Sequence, residues 1–255
     1  RLDDALIRVG LDSTPRLEIE ERRYLGYLEA HIEQGCYLEE ANEKIGIVTA
    51  IVGIRGLIIS FKGEQNHAGT TTMKRRKDAA TAMFETAYRI NTQFPPLARE
   101  TTVWTLGNAT VEPGASSIVP GAAELTLQFR DQDEGVLDAL EHEVKKIVED
   151  IRSRGEIVID VRPGREVIRP SKMDKNFQTH LEKSAQEITP NAWRYMPSAA
   201  GHDPMVIHEK IPCAMLFIPS IKGISHNFDE DSHEEDIILG CEVLTSAVAS
   251  ILLSN

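Results

Sequence analysis

The sequence predicts a mixed α/β chain, in which one α/β domain is interrupted by a ferredoxin-like β-α-β-β-α-β sandwich. The middle third alternates between two-residue and helical periods, and an Arg-Pro-Gly turn at 162–164 closes it. The flanks supply a strand with one polar face, a wholly apolar strand and a few helices, too little for two separate domains. The simplest division assigns 1–48 and 166–255 to one domain and 49–165 to the insertion.

Within the insertion, Leu57, Ile59 and Phe61 alternate along Gly56–Lys62, as in a strand buried on one side. Ala80, Met83, Ala87 and Ile90 then recur at helical spacing from about residue 79 to 90. A second strand is expected over Thr101–Leu106, with Glu-Pro-Gly at 112–114 as the breaker. A third runs over Glu124–Arg130, with Leu125, Leu127 and Phe129 on one face and Thr126, Gln128 and Arg130 on the other. Asp133 can cap a helix striped by Leu137, Leu140, Val144, Ile147 and Ile151, which Gly155 ends. A last strand spans Ile157–Val161. In the flanks, a charged helix is expected over 14–25, a strand over Tyr27–Glu33, a helix over Asp174–Ile188 and a buried strand over Cys213–Ile218. A final helix opens on a capping-box pattern at Ser232–Glu235.

Composition narrows the function classes. The 255 residues carry a formal net charge of -12, which disfavours nucleic acid and anionic membrane as partners. Lys74-Arg75-Arg76-Lys77 is the one basic cluster and reads as a solvated helix start. Three scattered cysteines, Cys36, Cys213 and Cys241, fit a reducing, cytoplasmic setting and form no cysteine metal motif. No uninterrupted apolar run reaches about 18 residues, so no membrane span is expected. The chain starts without methionine, at Arg1, and reads as part of a longer gene product.

Three histidines stand where chemistry is expected. Period two places Tyr27, Glu29, His31 and Glu33 on one strand face that ends in Gln34-Gly35. Open α/β sheets bind ligands beyond such strand ends, although spacing alone favours a solvated edge strand. His226 follows the apolar strand in Gly223-Ile224-Ser225-His226; an ordinary loop hydrogen bond is an equally open reading. His67, in Asn66-His67-Ala68-Gly69-Thr70-Thr71, lies on the insertion. It is either a turn residue or a donor that could close over a substrate carbonyl.

These runs, in order and together with Met73, Arg76, Asp78, Ile118-Val119-Pro120-Gly121, Gly201-His202-Asp203 and Glu230, resemble the M20 metallopeptidase family in its carbamoylase and allantoate amidohydrolase branch. The resemblance implies a zinc-peptidase-like α/β catalytic domain with the sandwich as lid and dimerisation domain. It implies two divalent ions (zinc, manganese, cobalt or nickel), with His31 and His226 as ligands, one to each. His67 would contact the scissile group from the partner of a homodimer, and Arg130 would clamp the carboxylate of a small substrate. Gln34, Ser117 and Gly201 would position that substrate, and His202 is either a further contact or a structural residue of its turn. The implied reaction is hydrolysis of a ureido C–N bond in N-carbamoyl-L-amino acids or allantoate, releasing ammonia and carbon dioxide.

The sequence departs from the pattern in two ways. Ser117 stands where the family usually has Asn, replacing an amide with a shorter hydroxyl. The family's Gly-Ser-His-x-Asp-Thr and Glu-Glu motifs, which supply the bridging aspartate and the general base, do not occur in these 255 residues. The chain by itself is therefore expected to hold metal weakly and to lack turnover. The other readings are a non-catalytic dimerisation and ligand-binding fragment, and a dipeptidase or deacylase of the same family.

Overall fold

A computed structural model describes residues 1–15, 17–21 and 23–254, apart from the side chains at 165 and 166. In chain order the elements are α1 (Leu2–Arg8), β1 (Tyr27–Ile32), α2 (Tyr37–Ala41), β2 (Ile45–Ile51), β3 (Gly53–Lys62) and β4 (Asn66–His67). Next come α3 (Ala79–Gln93), β5 (Val103–Glu112), β6 (Ile118–Val119), β7 (Ala122–Asp131), α4 (Glu134–Ser153) and β8 (Val158–Ile168). The chain ends with β9 (Ser171–Lys172), α5 (Lys175–Ile188), β10 (Trp193–Ser198), α6 (Pro204–Ile207), β11 (Cys213–Ile218) and α7 (Glu234–Ser254).

Two larger sheets organise these elements. The first has the order β1-β11-β2-β10, with β9 added to β2. β11 is its apolar centre, and all six of its residues are buried. It runs parallel to β1 and antiparallel to β2. Its core joins Ile45, Ile47, Leu216 and Phe217 to Phe177 and Leu181 of α5 and Val243, Ala247 and Ile251 of α7. The Asp174 carboxylate accepts the Phe177 N–H and so caps α5, a contact worth about 1 kcal/mol.

The second sheet is antiparallel, in the order β5-β7-β3-β8. The alternation of β7 turns Leu125, Leu127 and Phe129 inward. They pack on the α4 stripe of Leu137, Leu140, Val144 and Ile147 and on Met83 and Ile90 of α3. Asp78 and Asp133 cap the two helices through backbone N–H groups. β3 and β8 approach closely at Gly164, where a Cβ would sit 3.0 Å from the Gly56 backbone.

Several expectations are corrected. No described residue in 14–25 is helical, and Arg16 and Arg22 lie outside the described residues. Leu17 and Ile19 are exposed, so a helix there would have no apolar neighbour to pack on. β2 belongs to the first sheet, and Val52 alone separates it from β3, so the sheets meet past the expected boundary at 49. On the other side β8 continues to Ile168, past 165. β5 extends to Glu112, where the Glu-Pro-Gly breaker stands. The basic run forms a short 3-10 turn ahead of α3 instead of opening it. α7 is long and apolar enough to cross a membrane by length and composition, although Glu242 interrupts its apolar run. Its acidic residues gather in the first turn, at Glu234, Glu235 and Asp236, and Glu242 is the one beyond it. One side of this helix packs into the first core, and Ser246 and Ser250 bond Ser184 and His180 of α5.

Candidate metal and substrate site

Parallel pairing of β1 with β11 sets His31 opposite Phe217 and Ile32 opposite Ile218. The two loops leaving these strands therefore meet at one rim of the sheet. The Glu33 N–H donates to the Ile218 carbonyl at 2.9 Å. The Gln34 N–H donates to Ser220 Oγ, and Gln34 Nε2 donates to Ser225 Oγ, each at 3.0 Å. Gly223 adopts φ +63° with its Cβ position 2.9 Å from the Gly35 backbone, so a side chain would push the loops apart. Lys222 N donates to Glu39 Oε2 at 2.8 Å. Ser232, expected as a cap, instead donates to the Pro219 carbonyl and ties the loop to the start of α7.

His226 sits on this loop with φ 56°, and its N–H donates to Glu230 Oε2 at 2.9 Å. The Glu230 carboxyl is held below the usual carboxylate range by the Ser225 hydroxyl and the His226 N–H, with His226 and His31 adding attraction. The Gln34–Ser225 hydrogen bond joins the loop after His31 to the residue before His226, so both predicted metal-binding imidazoles lie on loops of the same rim.

A tighter cluster lies on the β1 face. Glu29, His31 and His202 each present a ligand atom, all within 4.8 Å of one another. The His31 and His202 rings meet edge to face at 4.5 Å, and Phe217 lies 5.4 Å from His202. His31 Nδ1 donates to the Ile32 carbonyl at 2.8 Å, which leaves Nε2 with its lone pair free. Glu29 Oε2 accepts the Tyr27 hydroxyl at 2.9 Å. His202 Nδ1 stands 3.8 Å from Glu29 Oε1, too far for a hydrogen bond, and its side chain is only 2% exposed. Burial, reinforced by His31, pushes the His202 pKa down to about 4, so the ring is neutral at neutral pH. Burial raises the Glu29 pKa, and the Tyr27 hydroxyl opposes that rise.

Two imidazoles and a carboxylate are a zinc-type donor set, and three protein ligands with an open position suit a catalytic ion. The residues therefore fit one divalent ion, provided the side chains draw inward to bonds of about 2.0–2.2 Å. It is the one such group among the described residues. Glu33, on the same strand face, is committed elsewhere: its two oxygens accept the Tyr37 and Leu38 N–H groups at the start of α2.

The second sheet contributes Arg130, His67 and Ser117. Arg130 Nη1 donates to the Ala199 carbonyl at 3.2 Å, beside Gly201 and His202, while Nε and Nη2 both donate to Gln128 Oε1. It therefore bridges the two sheets next to the cluster. His67 lies on the exposed β4–β6 ribbon, where the Ser117 carbonyl accepts the Ala68 N–H. His67 Nδ1 accepts N–H groups from Gly69 and Thr70 at 3.0 and 3.2 Å. Its proton is therefore on Nε2, as an outward donor. Arg76 braces this loop by donating to the Thr71 and Ala68 carbonyls. Among the described residues, no hydrogen bond or ring contact joins the ribbon to the His31 cluster.

The structure therefore brings His31, Gln34, His226, Arg130, Gly201 and His202 to one region, and holds His67 and Ser117 apart from it. Glu29 is the donor that sequence reasoning passed over, although period two had already placed it beside His31. The signal for His202 was weaker, because only the folded chain brings the turn after β10 over β1.

Comparison with known proteins gives the family of the chain. Residues 6–250 match the family model described as peptidase family M20/M25/M40. The chain is 33% identical over 231 residues to the allantoate amidohydrolase of Escherichia coli (strain K12), covering 91% of this chain and 54% of that protein. It is 32% identical over 225 residues to an N-carbamoyl-L-amino-acid amidohydrolase of Paenarthrobacter aurescens, covering 88% and 54% respectively. A crystal structure of an amidase of the hydantoinase/carbamoylase family from Burkholderia phymatum superposes with TM-score 0.88 at 42% identity. That match covers 98% of this chain and 60% of the amidase. The chain belongs to the M20/M25/M40 peptidase family. It spans about half the length of the curated relatives it matches.

Proposed function

We propose that this chain serves in metal-dependent hydrolysis of the ureido C–N bond of N-carbamoyl-L-amino acids or related ureido acids such as allantoate. The observation that carries the reading is the meeting of Glu29, His31, His202 and the His226 loop at one sheet rim, with Arg130 reaching over from the second sheet. The names of the similar amidohydrolases supply the substrate class. Glu29, His31 and His202 would hold one divalent ion, and His226 would contribute to a second. Zinc, manganese, cobalt and nickel all suit such donors. When bound, these ions supply Lewis acidity toward the carbonyl and lower the pKa of water.

The other residues bind and orient. Arg130 has the uncharged Gln128 amide and the Ala199 carbonyl as its hydrogen-bond partners, and it would exchange the carbonyl for a substrate carboxylate. Gln34, held at φ 60°, and Gly201 would border the substrate. His67 would donate its Nε2 proton to the developing oxyanion, with Ser117 beside it on the ribbon. That no described hydrogen bond or ring contact joins the ribbon to the cluster supports a donor delivered by the second protomer of a homodimer. In this reading 49–165 is a ferredoxin-like lid and dimerisation domain, and 1–48 with 166–255 belong to the catalytic domain. The exposed edges of β5 and β8 are the strands available for pairing.

Ammonia release after loading with each metal tests the proposal, using N-carbamoyl-L-amino acids and allantoate beside dipeptides and N-acetyl amino acids. Selective turnover of the ureido acids is expected; turnover confined to the peptides or N-acetyl compounds overturns it. The motif that would supply a general base does not occur in the sequence, which favours a second reading as a ligand-binding dimerisation module. Binding of ureido acids without turnover would select that reading.

A further inference from the structure

Arg130 stands apart from other arginines of its unit. Arg55, Arg89, Arg99 and Arg154 each meet at least one carboxylate. Among the described residues Arg130 meets none, in a chain where Asp and Glu together number 40 against 28 Lys and Arg. Its partners are the Gln128 amide and the Ala199 carbonyl, both uncharged.

The register of the sheet explains the pairing. Gln128 and Arg130 project from the outer face of β7, two residues apart. Beside Arg130 stand Ile54 of β3 and Val103 of β5, and neither side chain has an acceptor. Gly56 stands beside Gln128 and has no side chain, so the amide has room to lie along the strand toward Arg130. Gln128 Oε1 then accepts from Nε at 3.0 Å and from Nη2 at 2.9 Å. A guanidinium has only hydrogens to give, so the amide turns its oxygen toward Arg130 and its nitrogen away.

A hydrogen count shows what is left for a ligand. A guanidinium carries five N–H donors. Gln128 takes one from Nε and one from Nη2, and Ala199 takes one from Nη1 at 3.2 Å. One N–H remains on each of Nη1 and Nη2, and exchange of the Ala199 carbonyl frees a third. Paired donors on the two terminal nitrogens match the two oxygens of a carboxylate. A neutral acceptor fixes the orientation of the guanidinium without offsetting the positive charge that draws an anion to it.

We infer that Gln128 is the positioning residue of Arg130: it holds the guanidinium by its Nε–Nη2 edge and presents the remaining N–H groups of Nη1 and Nη2 to the carboxylate of a ureido acid. The inference rests on the reading of Arg130 as the carboxylate clamp. It goes beyond that reading by naming what sets the direction of the clamp and its preference for an anion.

Calorimetric titration with N-carbamoyl-L-alanine and with its uncharged carboxamide measures that preference without turnover. The unaltered chain should bind the acid more tightly than the amide. Gln128→Leu, similar in size but without an acceptor, should cut the preference about tenfold, the lower end of what a hydrogen bond to a charged group is worth. Gln128→Glu keeps both hydrogen bonds but sets a negative charge beside the guanidinium, and should weaken the acid at least as much. A role in packing alone predicts that Gln128→Glu behaves as the unaltered chain. Both substitutions lie on the outer face of the sheet, and unfolding followed at Trp104 checks that the core beneath is intact. A second readout needs no ligand: the Arg130 Nε–H signal in 15N-arginine spectra should exchange slowly with solvent, and faster in Gln128→Leu. An acid preference that survives in both variants, or an Nε–H that exchanges no faster in Gln128→Leu, would overturn the inference and leave the carboxylate role of Arg130 standing. An unaltered chain that binds the acid no better than the amide would overturn that role itself, and the inference with it.

Discussion

The two sheets differ in how far each closes its own core. The antiparallel sheet of β3, β5, β7 and β8 covers one face with α3 and α4, and Phe61, Phe129, Leu140 and Ile147 are almost completely buried there. The β1-β11-β2-β10 sheet is more open. α7 buries Val243, Ala247 and Ile251 but exposes Ile238, Leu252 and Leu253, and α1 buries nothing. β1, the strand that carries Glu29 and His31, lies at the sheet edge. The closed sheet is built for rigidity, and the open one keeps polar donors at a rim where ligands can reach them. Stability and chemistry should therefore respond to different substitutions.

The largest expected effect is in the closed sheet. Phe129→Ala should cost about 3–5 kcal/mol by removing a buried aromatic ring and leaving a cavity. Urea unfolding followed separately by Trp104, packed against that core, and by Trp193, against the first, would show the loss at Trp104. An equal shift at both tryptophans would mean that the two cores unfold as one unit. The converse experiment is His31→Ala. It should leave the metal-free unfolding midpoint nearly unchanged and abolish the Zn²⁺-dependent gain in stability. For the unaltered chain that gain reaches about 2.7 kcal/mol when free metal is a hundredfold above its dissociation constant.

The contrast between the sheets also explains what the sequence could reveal. Leu125, Leu127 and Phe129 alternate cleanly because one face is buried and the other is not, and the α4 stripe repeats because it packs on that buried face. β10 escapes notice for the opposite reason. Trp193-Arg194-Tyr195-Met196-Pro197-Ser198 contains a proline, and the ladder shifts register between Met196 and Ser198, around that residue. β2 was not read as a strand, and the boundary set at 49 cuts through it, because a continuous apolar run does not declare which sheet it joins. At the site, the strand ends that carry His31, Gln34 and His226 were legible from periodicity, while their roles came only from the family resemblance. The Glu29–His202 approach was not, because it depends on a tertiary crossing that local periodicity does not encode.

Smaller effects sharpen the comparison. Asp174→Ala removes the cap of α5 and should cost about 1 kcal/mol, read at Trp193 and not at Trp104. Glu85, on the outer surface of the closed unit, is held below the usual carboxylate range chiefly by its hydrogen bonds from Arg154. Its folded pKa lies under its unfolded value, so its contribution is present above the ordinary carboxylate range and is lost as pH falls through the lowered value. Arg154→Met should flatten that acid-side loss by under about 1 kcal/mol, because solvent screens the pair. Urea midpoints measured from pH 6 down to pH 3 would show it.

The central claim is that side chains from separate parts of the fold form one metal-binding rim. Zinc K-edge absorption of the chain loaded with one equivalent of Zn²⁺ tests it most directly. The account predicts nitrogen and oxygen neighbours at about 2.0–2.2 Å with the scattering signature of two imidazoles, reduced when His31 is replaced by alanine. A shell of water oxygens without imidazole, or a sulfur neighbour at about 2.3 Å from a cysteine, would contradict it.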